Sequence, residues 1–261
     1  MARFRVPALP WPGGCRILDF IPLSVTHESP RSPRPIAIDG VLRVGDLCIV
    51  TGGWDTFKST LCLEMAWSLA TGMPFLGNPS LAVVNPLRMG ILQAEIDPGS
   101  YDERLLAYSP TDNLWTCSDL TYQLTESGVE DLYVTMRELE LDGLVLDPLG
   151  PMWPSYAWTT GEVFRENAKE HVTPILKAFK QFSKTIVLVH HDPKPSLGVR
   201  NRASGTSALL NDPDTRILLD RMGAKVIAQV RSRLQHGAGQ IECSFTQKRR
   251  LVALTSAFTI V

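Results

Sequence analysis

The chain lacks the cysteine spacing that would make thiols its organising chemistry. Its five cysteines, Cys15, Cys48, Cys62, Cys117 and Cys243, are scattered, odd in number and nowhere spaced as CxxC, so they offer neither a disulfide framework nor a zinc site. They read as small apolar fillers in a protein of a reducing compartment. No apolar run approaches the roughly 20 residues that span a bilayer, and Arg3 and Arg5 are not followed by a hydrophobic signal core. A cytoplasmic protein with no membrane partner is expected. An excess of one charge is missing too. The 26 Lys and Arg against 27 Asp and Glu leave a net charge of −1, which argues against a wholly basic nucleic-acid binder and permits a local basic strip inside an assembly. There is no internal repeat and no low-complexity tract.

What is present fits one ordinary globular unit: 261 residues at 44% hydrophobic content can bury a substantial core. Residues 1–37 hold Pro7, Pro10, Pro12, Gly13 and Gly14, then Ser29-Pro30-Arg31-Ser32-Pro33-Arg34-Pro35. Such a stretch cannot be regular throughout and reads as an N-terminal arm or linker, either a spacer or a segment that docks on a neighbouring subunit. Over 38–261, apolar strands at Leu47–Thr51, Met89–Ala94, Leu144–Asp147 and Ile186–His190 alternate with helices near 58–71, 99–108, 127–139 and 161–182. Beyond Asp214 the pattern turns strand-like, at Arg216–Leu219, Lys225–Val230, Ile241–Phe245 and Leu251–Leu254. The order implies an α/β fold with a mainly parallel central sheet flanked by helices and a β-rich C-terminal edge.

Between the first strand and the first helix stands Gly52-Gly53-Trp54-Asp55-Thr56-Phe57-Lys58-Ser59-Thr60. In a phosphate-binding loop, backbone N–H groups wrap the β-phosphate, the lysine meets the β/γ oxygens and a hydroxyl holds Mg2+. Gly52, Lys58 and Ser59 have the required spacing, while Phe57 stands where the motif G-x-x-x-x-G-K-[ST] has glycine, removing the torsional freedom of a residue without a Cβ. Leu61, Met65, Ala66, Leu69 and Ala70 recur at helical spacing and Thr71-Gly72 supplies a stop, so the loop opens a helix.

Three strand ends carry further candidates, since parallel α/β sheets place ligands there. Asp147 closes Leu144-Val145-Leu146-Asp147, where a carboxylate holds the nucleotide's Mg2+ or simply precedes the Pro148 turn. Glu95, expected on the strand beside the P-loop strand, orients the attacking water or caps a helix, a role that suits Asp97 better. His190 and His191 end an apolar strand and point to opposite faces, which disfavours joint metal chelation. His190 is the candidate γ-phosphate sensor, against a histidine satisfied by surface hydrogen bonds.

The sequences at 45–60 and 69–77, Glu95 with Asp97-Pro98, Asp147-Pro148-Leu149, His190-His191 and Arg202–Ala208 resemble the RecA-fold ATPases related to the plasmid replication helicase RepA. The resemblance covers roughly residues 38 to 256, and a Phe-Lys version of the loop occurs among such sequences. It implies a fold like the motor domain of DnaB-type helicases, which form rings, hexameric in the expected case, with ATP and Mg2+ between subunits. There a Lys-x-Arg pair reaches the neighbour's γ-phosphate, and Arg231-Ser232-Arg233 stands in the equivalent place; a solvated basic edge strand is the alternative. The loops after Asp147 and His191 line the ring channel by the same resemblance. The second carries Lys194, Arg200 and Arg202, suited to single-stranded DNA phosphates; the first carries Trp153, Tyr156 and Trp158, which stack on bases or pack under the loop.

The expected protein is therefore a ring-forming ATPase acting on single-stranded DNA, a helicase or translocase in replication of a mobile element, with a primase or loader as a further partner. Its cofactor site would comprise Gly52 to Thr60, its metal ligands Ser59 and Asp147, and its catalytic groups Lys58, Glu95, His190, Arg231 and Arg233. A RadA-like recombination or annealing ATPase and a KaiC-like nucleotide-dependent regulatory module share the same core.

Overall fold

The computed structural model describes residues 23–30, 32–191, 207–233, 238–246, 250–254 and 259–260. The chain divides into two compact units, Met1–Pro33 and Arg34–Val261. In the first, the described part comprises the short helix α1 (Leu23–Glu28) and residues after it. The second opens with an antiparallel hairpin of β1 (Ile36–Ile38) and β2 (Leu42–Arg43). Then follow β3 (Leu47–Gly52), α2 (Lys58–Thr71), β4 (Met89–Gln93), α3 (Pro98–Leu105), β5 (Leu114–Ser118), α4 (Glu126–Glu138) and β6 (Gly143–Asp147). Next are α5 (Leu149–Met152), α6 (Lys169–Gln181), β7 (Thr185–His191) and α7 (Ser207–Asn211). The C-terminal part is β8 (Thr215–Met222), β9 (Lys225–Ser232), β10 (Ala238–Phe245), β11 (Leu251–Ala253) and β12 (Thr259–Ile260).

Among the described residues ten strands form one sheet in the order β11-β10-β9-β8-β3-β7-β6-β4-β5, with β12 also on β10. Pairing is parallel from β8 through β5 and antiparallel from β8 outward to β11. This is the α/β architecture expected, a parallel centre with a β-rich C-terminal edge. Strands β3 and β6 are buried along their whole length, so they read in the sequence as unbroken apolar runs.

Alternate side chains of these strands feed two separate cores. Cys48, Val50, Val145, Val187 and Val189 join Leu61, Met65 and Leu69 of α2 on one face. Leu47, Ile49, Leu144, Leu146, Ile186 and Leu188 join Val129 of α4 and Val172, Ile175 and Phe179 of α6 on the other. This period of two decides which face each residue at a strand end serves.

Two elements differ from the sequence expectation. Strand β5 was missed because it is the sheet's outer edge, with Trp115, Thr116 and Cys117 exposed and no apolar run to reveal it. The helix expected from residue 161 begins at Lys169 instead, because Gly161 sits at φ 68 and Tyr156 bridges Val163 in antiparallel fashion.

Helix α2 is buried almost all round, and its Glu64 is only 1% exposed. Arg250, just before β11, holds that carboxylate with Nε and Nη2 donating at 2.9 Å each, and the Tyr108 hydroxyl donates at 3.1 Å. The guanidinium lies over the rings of Trp67 (4.2 Å) and Tyr108 (4.6 Å). The pair ties α2 to the far β edge. Arg250→Met would leave the buried carboxylate uncompensated and should cost about 3–5 kcal/mol in urea unfolding, most of it recovered when Glu64→Met is added. Unchanged stability in Arg250→Met would show that the pair ties nothing.

Candidate nucleotide-binding site

Strand β3 runs directly into the loop that precedes α2. Gly52 is dictated by close approach: a Cβ there would lie 2.6 Å from the Leu219 carbonyl oxygen on β8 and 2.7 Å from Thr56 Oγ1. The loop closes on itself, Thr56 Oγ1 donating to the Gly53 carbonyl at 2.9 Å. Lys58 is buried and its Nζ donates to the carbonyls of Gly52 (3.0 Å) and Gly53 (2.7 Å). A buried ammonium needs acceptors, and phosphate oxygens can take over that role. Leu61 N–H donates to the Phe57 carbonyl, so the N–H groups of Lys58, Ser59 and Thr60 precede the helical ladder at the positive end of the helix dipole.

Phe57 adopts φ 63, ψ 33, the left-handed torsion that the motif's glycine would take freely. Asp55 is left-handed as well, at φ 58. The path of the phosphate loop is thus kept by residues that adopt it at about 1–2 kcal/mol each.

Ser59 Oγ donates to Asp147 Oδ1 at 3.1 Å, joining the first turn of α2 to the end of β6. By strand parity Asp147 faces the α2 side, as Val145 does. It is 7% exposed, and burial pushes its carboxyl up to about 6 while the Ser59 hydrogen bond pulls the other way and the Glu95 charge adds to the rise. Hydroxyl and carboxylate oxygens suit a hard cation such as Mg2+. Among the described residues no group of three or more His, Cys, Asp or Glu side chains is placed to hold a metal alone. The two oxygens fit a cation that completes its shell with phosphates and water.

Glu95 is not on the strand beside the P-loop strand, contrary to expectation, because β7 and β6 lie between β3 and β4. It nevertheless reaches the same edge, with Oε2 4.0 Å from His191 Nε2. Its turn is built by Gln93, whose Oε1 accepts from the N–H groups of Glu95 (3.1 Å) and Ile96 (2.8 Å) and whose Nε2 donates to the Ile96 carbonyl and to Ser118 Oγ (3.0 Å). Gln93 belongs to no motif in the sequence. The signal was a lone amide in a strand otherwise apolar beyond its glycine, and it is 2% exposed. Asp97 is the helix cap, accepting from the Ser100 N–H at 3.0 Å.

The histidines separate as their alternation requires, with the opposite outcome from the one expected. His190 follows Ile186 and Leu188 to the α6 side, buried and edge-on to Trp153 at 6.4 Å. His191 follows Val187 and Val189 to the α2 side, where it stacks on Trp54 at 5.2 Å beside Glu95. Burial and the nearby Lys58 charge lower its pKa, favouring a neutral ring. His191, and not His190, is thus the histidine on the side of the loop.

An AAA domain family model (AAA_25) matches residues 16–196, more than half of the chain. The chain belongs to the AAA domain family. It is a RecA-like P-loop ATPase, a family in which nucleotide binds with a divalent metal. Among solved structures, the KaiC-like protein PH0186 from Pyrococcus horikoshii OT3 is 13% identical, with a TM-score of 0.50, covering 84% of this chain and 94% of its own. The flagellar accessory protein FlaH from Methanocaldococcus jannaschii is 14% identical with a TM-score of 0.50, covering 81% and 90%. At these identities the likeness shows the fold. No curated protein matches the sequence. No helix among the described residues is long and apolar enough to cross a membrane.

Arg231 and Arg233 of this AAA domain fall away from the loop. Gly52 pairs with Leu219, which pairs with Ala228, whereas Ile49 pairs with Arg216, which pairs with Arg231. Arg231 is therefore roughly 10 Å back along the strands toward the opposite end of the sheet, and Arg233 lies beyond it, its N–H bound to the Asp214 carbonyl. Trp153 stacks on Phe164 at 5.1 Å and Trp158 Nε1 donates to the Leu124 carbonyl at 3.0 Å, so both pack under their loop while Tyr156 is exposed. Lys194, Arg200 and Arg202 lie outside the described residues.

The raised pKa of Asp147 has a stability consequence. The folded protein holds this proton more tightly than the unfolded chain, so the burial penalty is absent below the ordinary value of 3.8 and complete above about 6. In metal-free buffer, Asp147→Asn should stabilise the protein by about 2–3 kcal/mol near pH 7.5, with the gain vanishing toward pH 4. Denaturant melts in a chelator across that range test it; a pH-independent difference would contradict the desolvated carboxylate.

Proposed function

We propose that this AAA domain is an ATP-driven, ring-forming helicase or translocase on single-stranded DNA, of RepA and DnaB type, serving replication of a mobile element. The observation that carries the reading is the position of Arg231 and Arg233 at the end of the β8–β9 ribbon away from the chain's own nucleotide loop. Arg216 stands beside them: burial lowers its pKa and the charges of Arg231 and Arg233 lower it further. Among the described residues none of the three has an ion-pair partner. Cations concentrated so far from their own site suit the nucleotide of a second copy, where they neutralise charge developing on the γ-phosphate.

In hydrolysis, the oxygen of a water bonds to the γ-phosphorus as the bond to the ADP bridging oxygen breaks. Glu95 takes the water's proton, with His191 beside it on the same edge of the sheet. Lys58 and the N–H groups at the start of α2 hold the phosphate charge. Ser59 and Asp147 would hold a Mg2+ ion, whose chemistry there would be charge neutralisation of the phosphates.

A second reading is favoured by one observation. The left-handed Phe57 suits slow turnover, as in a nucleotide-dependent regulatory module, and the KaiC-like neighbour has the same fold. DNA separates the possibilities: stimulation of ATPase with directional strand displacement supports the motor, stimulation without displacement supports a recombination ATPase, and no response to DNA supports the switch.

Two further outcomes follow from the motor reading. Glu95→Gln and Arg233→Ala should each lose most ATPase activity while keeping nucleotide binding, and mixing them should recover part of it, because some interfaces then combine an intact Glu95 with an intact Arg233. A flat mixing curve in verified mixed assemblies would reject the shared site. Neutralising Lys194, Arg200 and Arg202 together should weaken single-strand binding across sequences, each lost phosphate contact lowering the salt slope by about 0.7. Equal slopes for parent and variant would place these residues on an ordinary solvated loop.

A further inference from the structure

Arg221 lies near the C-terminal end of β8, which runs parallel to β3 with Leu219 opposite Gly52, so the strand delivers it to the nucleotide loop. Its Nη1 pairs with the Asp55 carboxylate, and its guanidinium lies over the Phe57 ring at 5.1 Å. Its Nε donates to the Gly223 carbonyl at 3.2 Å in the turn to β9, so the side chain is tethered to the ribbon it comes from. Asp55 and Phe57 are the two loop residues with left-handed torsions, φ 58 and φ 63. One cation, 166 positions from Asp55 in sequence, thus touches both strained residues of the loop.

We propose that Arg221 is a positioning residue of the nucleotide site, holding from outside the left-handed backbone that a glycine at position 57 would adopt unaided. The proposal rests on the reading of this loop as the nucleotide site. Asp55 and Arg221 side chains are 72% and 42% exposed, so the ion pair by itself is screened and weak. The cation–π contact with Phe57 adds what the screened ion pair cannot, because a ring held beneath a tethered guanidinium fixes the residue whose torsion is least favourable. The N–H groups of the loop then face the phosphates before the nucleotide arrives. Once phosphates are bound they order the loop themselves, so Arg221 acts on binding more than on turnover.

The test is a double-mutant cycle in the full chain, measuring the dissociation constant for Mg-ADP by titration calorimetry. Arg221→Ala should weaken binding about tenfold with Phe57 in place and less than about threefold in the Phe57→Gly background, the size of effect that one left-handed residue can account for. Arg221→Lys should fall between parent and alanine, since it keeps the charge and loses the plane. The loss should appear in KM, with kcat at saturating ATP within about twofold of the parent. Thermal unfolding of Arg221→Ala close to the parent's shows that the fold is intact. Equal losses in both backgrounds, or no loss with Phe57 present, would overturn the clamp. Lys58→Ala serves as the reference: a parent protein that binds Mg-ADP no better than this variant would overturn the nucleotide site itself, a separate result from a flat cycle in a parent that binds.

Discussion

The hydrogen bond from Ser59 to Asp147 joins the two halves of the site, and most of what surrounds it exists to bring its partners together. Ser59 is placed by the turn from β3 into α2. Asp147 is placed by β6, which reaches the same edge because the central strands run parallel and end together. Parity along β6 sends Val145 and Asp147 toward α2 and Leu144 and Leu146 toward α6, so the carboxylate can meet the hydroxyl only in this register. A one-residue slip of β6 would turn Asp147 into the α4–α6 core. Burial at that position raises the carboxyl pKa, leaving a group that is costly to ionise alone and suited to meeting a cation.

The nucleotide loop meets a different constraint. A glycine before the lysine would supply the left-handed torsion at no steric cost, yet here phenylalanine adopts it. Phe57 therefore binds the loop's geometry to its neighbours in the fold, the α2-side core on which it packs and Arg221 over its ring. The β8–β9 ribbon touches this loop at one end and carries Arg231 toward the other. A nucleotide held in the loop and a second copy meeting the arginines would act on one piece of sheet.

Much of this was legible because it is local. Residues 58–71 were expected as a helix and form α2 with those limits, since the apolar spacing is regular and Gly72 ends it at φ 75. The buried strands β3 and β6 announced themselves as apolar runs. Strand order was not legible: nothing in Met89–Gln93 tells that β7 and β6 come between it and β3. The opposite faces of His190 and His191 could be read from alternation, but choosing the one at the site required knowing that α2 covers the Val187 and Val189 side. Gln93 was hidden because its work is on the backbone of Glu95 and Ile96, and Arg221 because its partners lie far away in sequence.

On the proposed function, loop 52–59 and Asp147 form one Mg-nucleotide site. A crystal structure of the protein with Mg2+ and a non-hydrolysable ATP analogue tests it most directly. In that structure Lys58 Nζ should have left the Gly52 and Gly53 carbonyls for the β- and γ-phosphates, Phe57 should still be left-handed, and the cation should sit at Ser59 on the Asp147 side. A nucleotide bound elsewhere, with Lys58 still on those carbonyls and Ser59 still bound to Asp147, would contradict it.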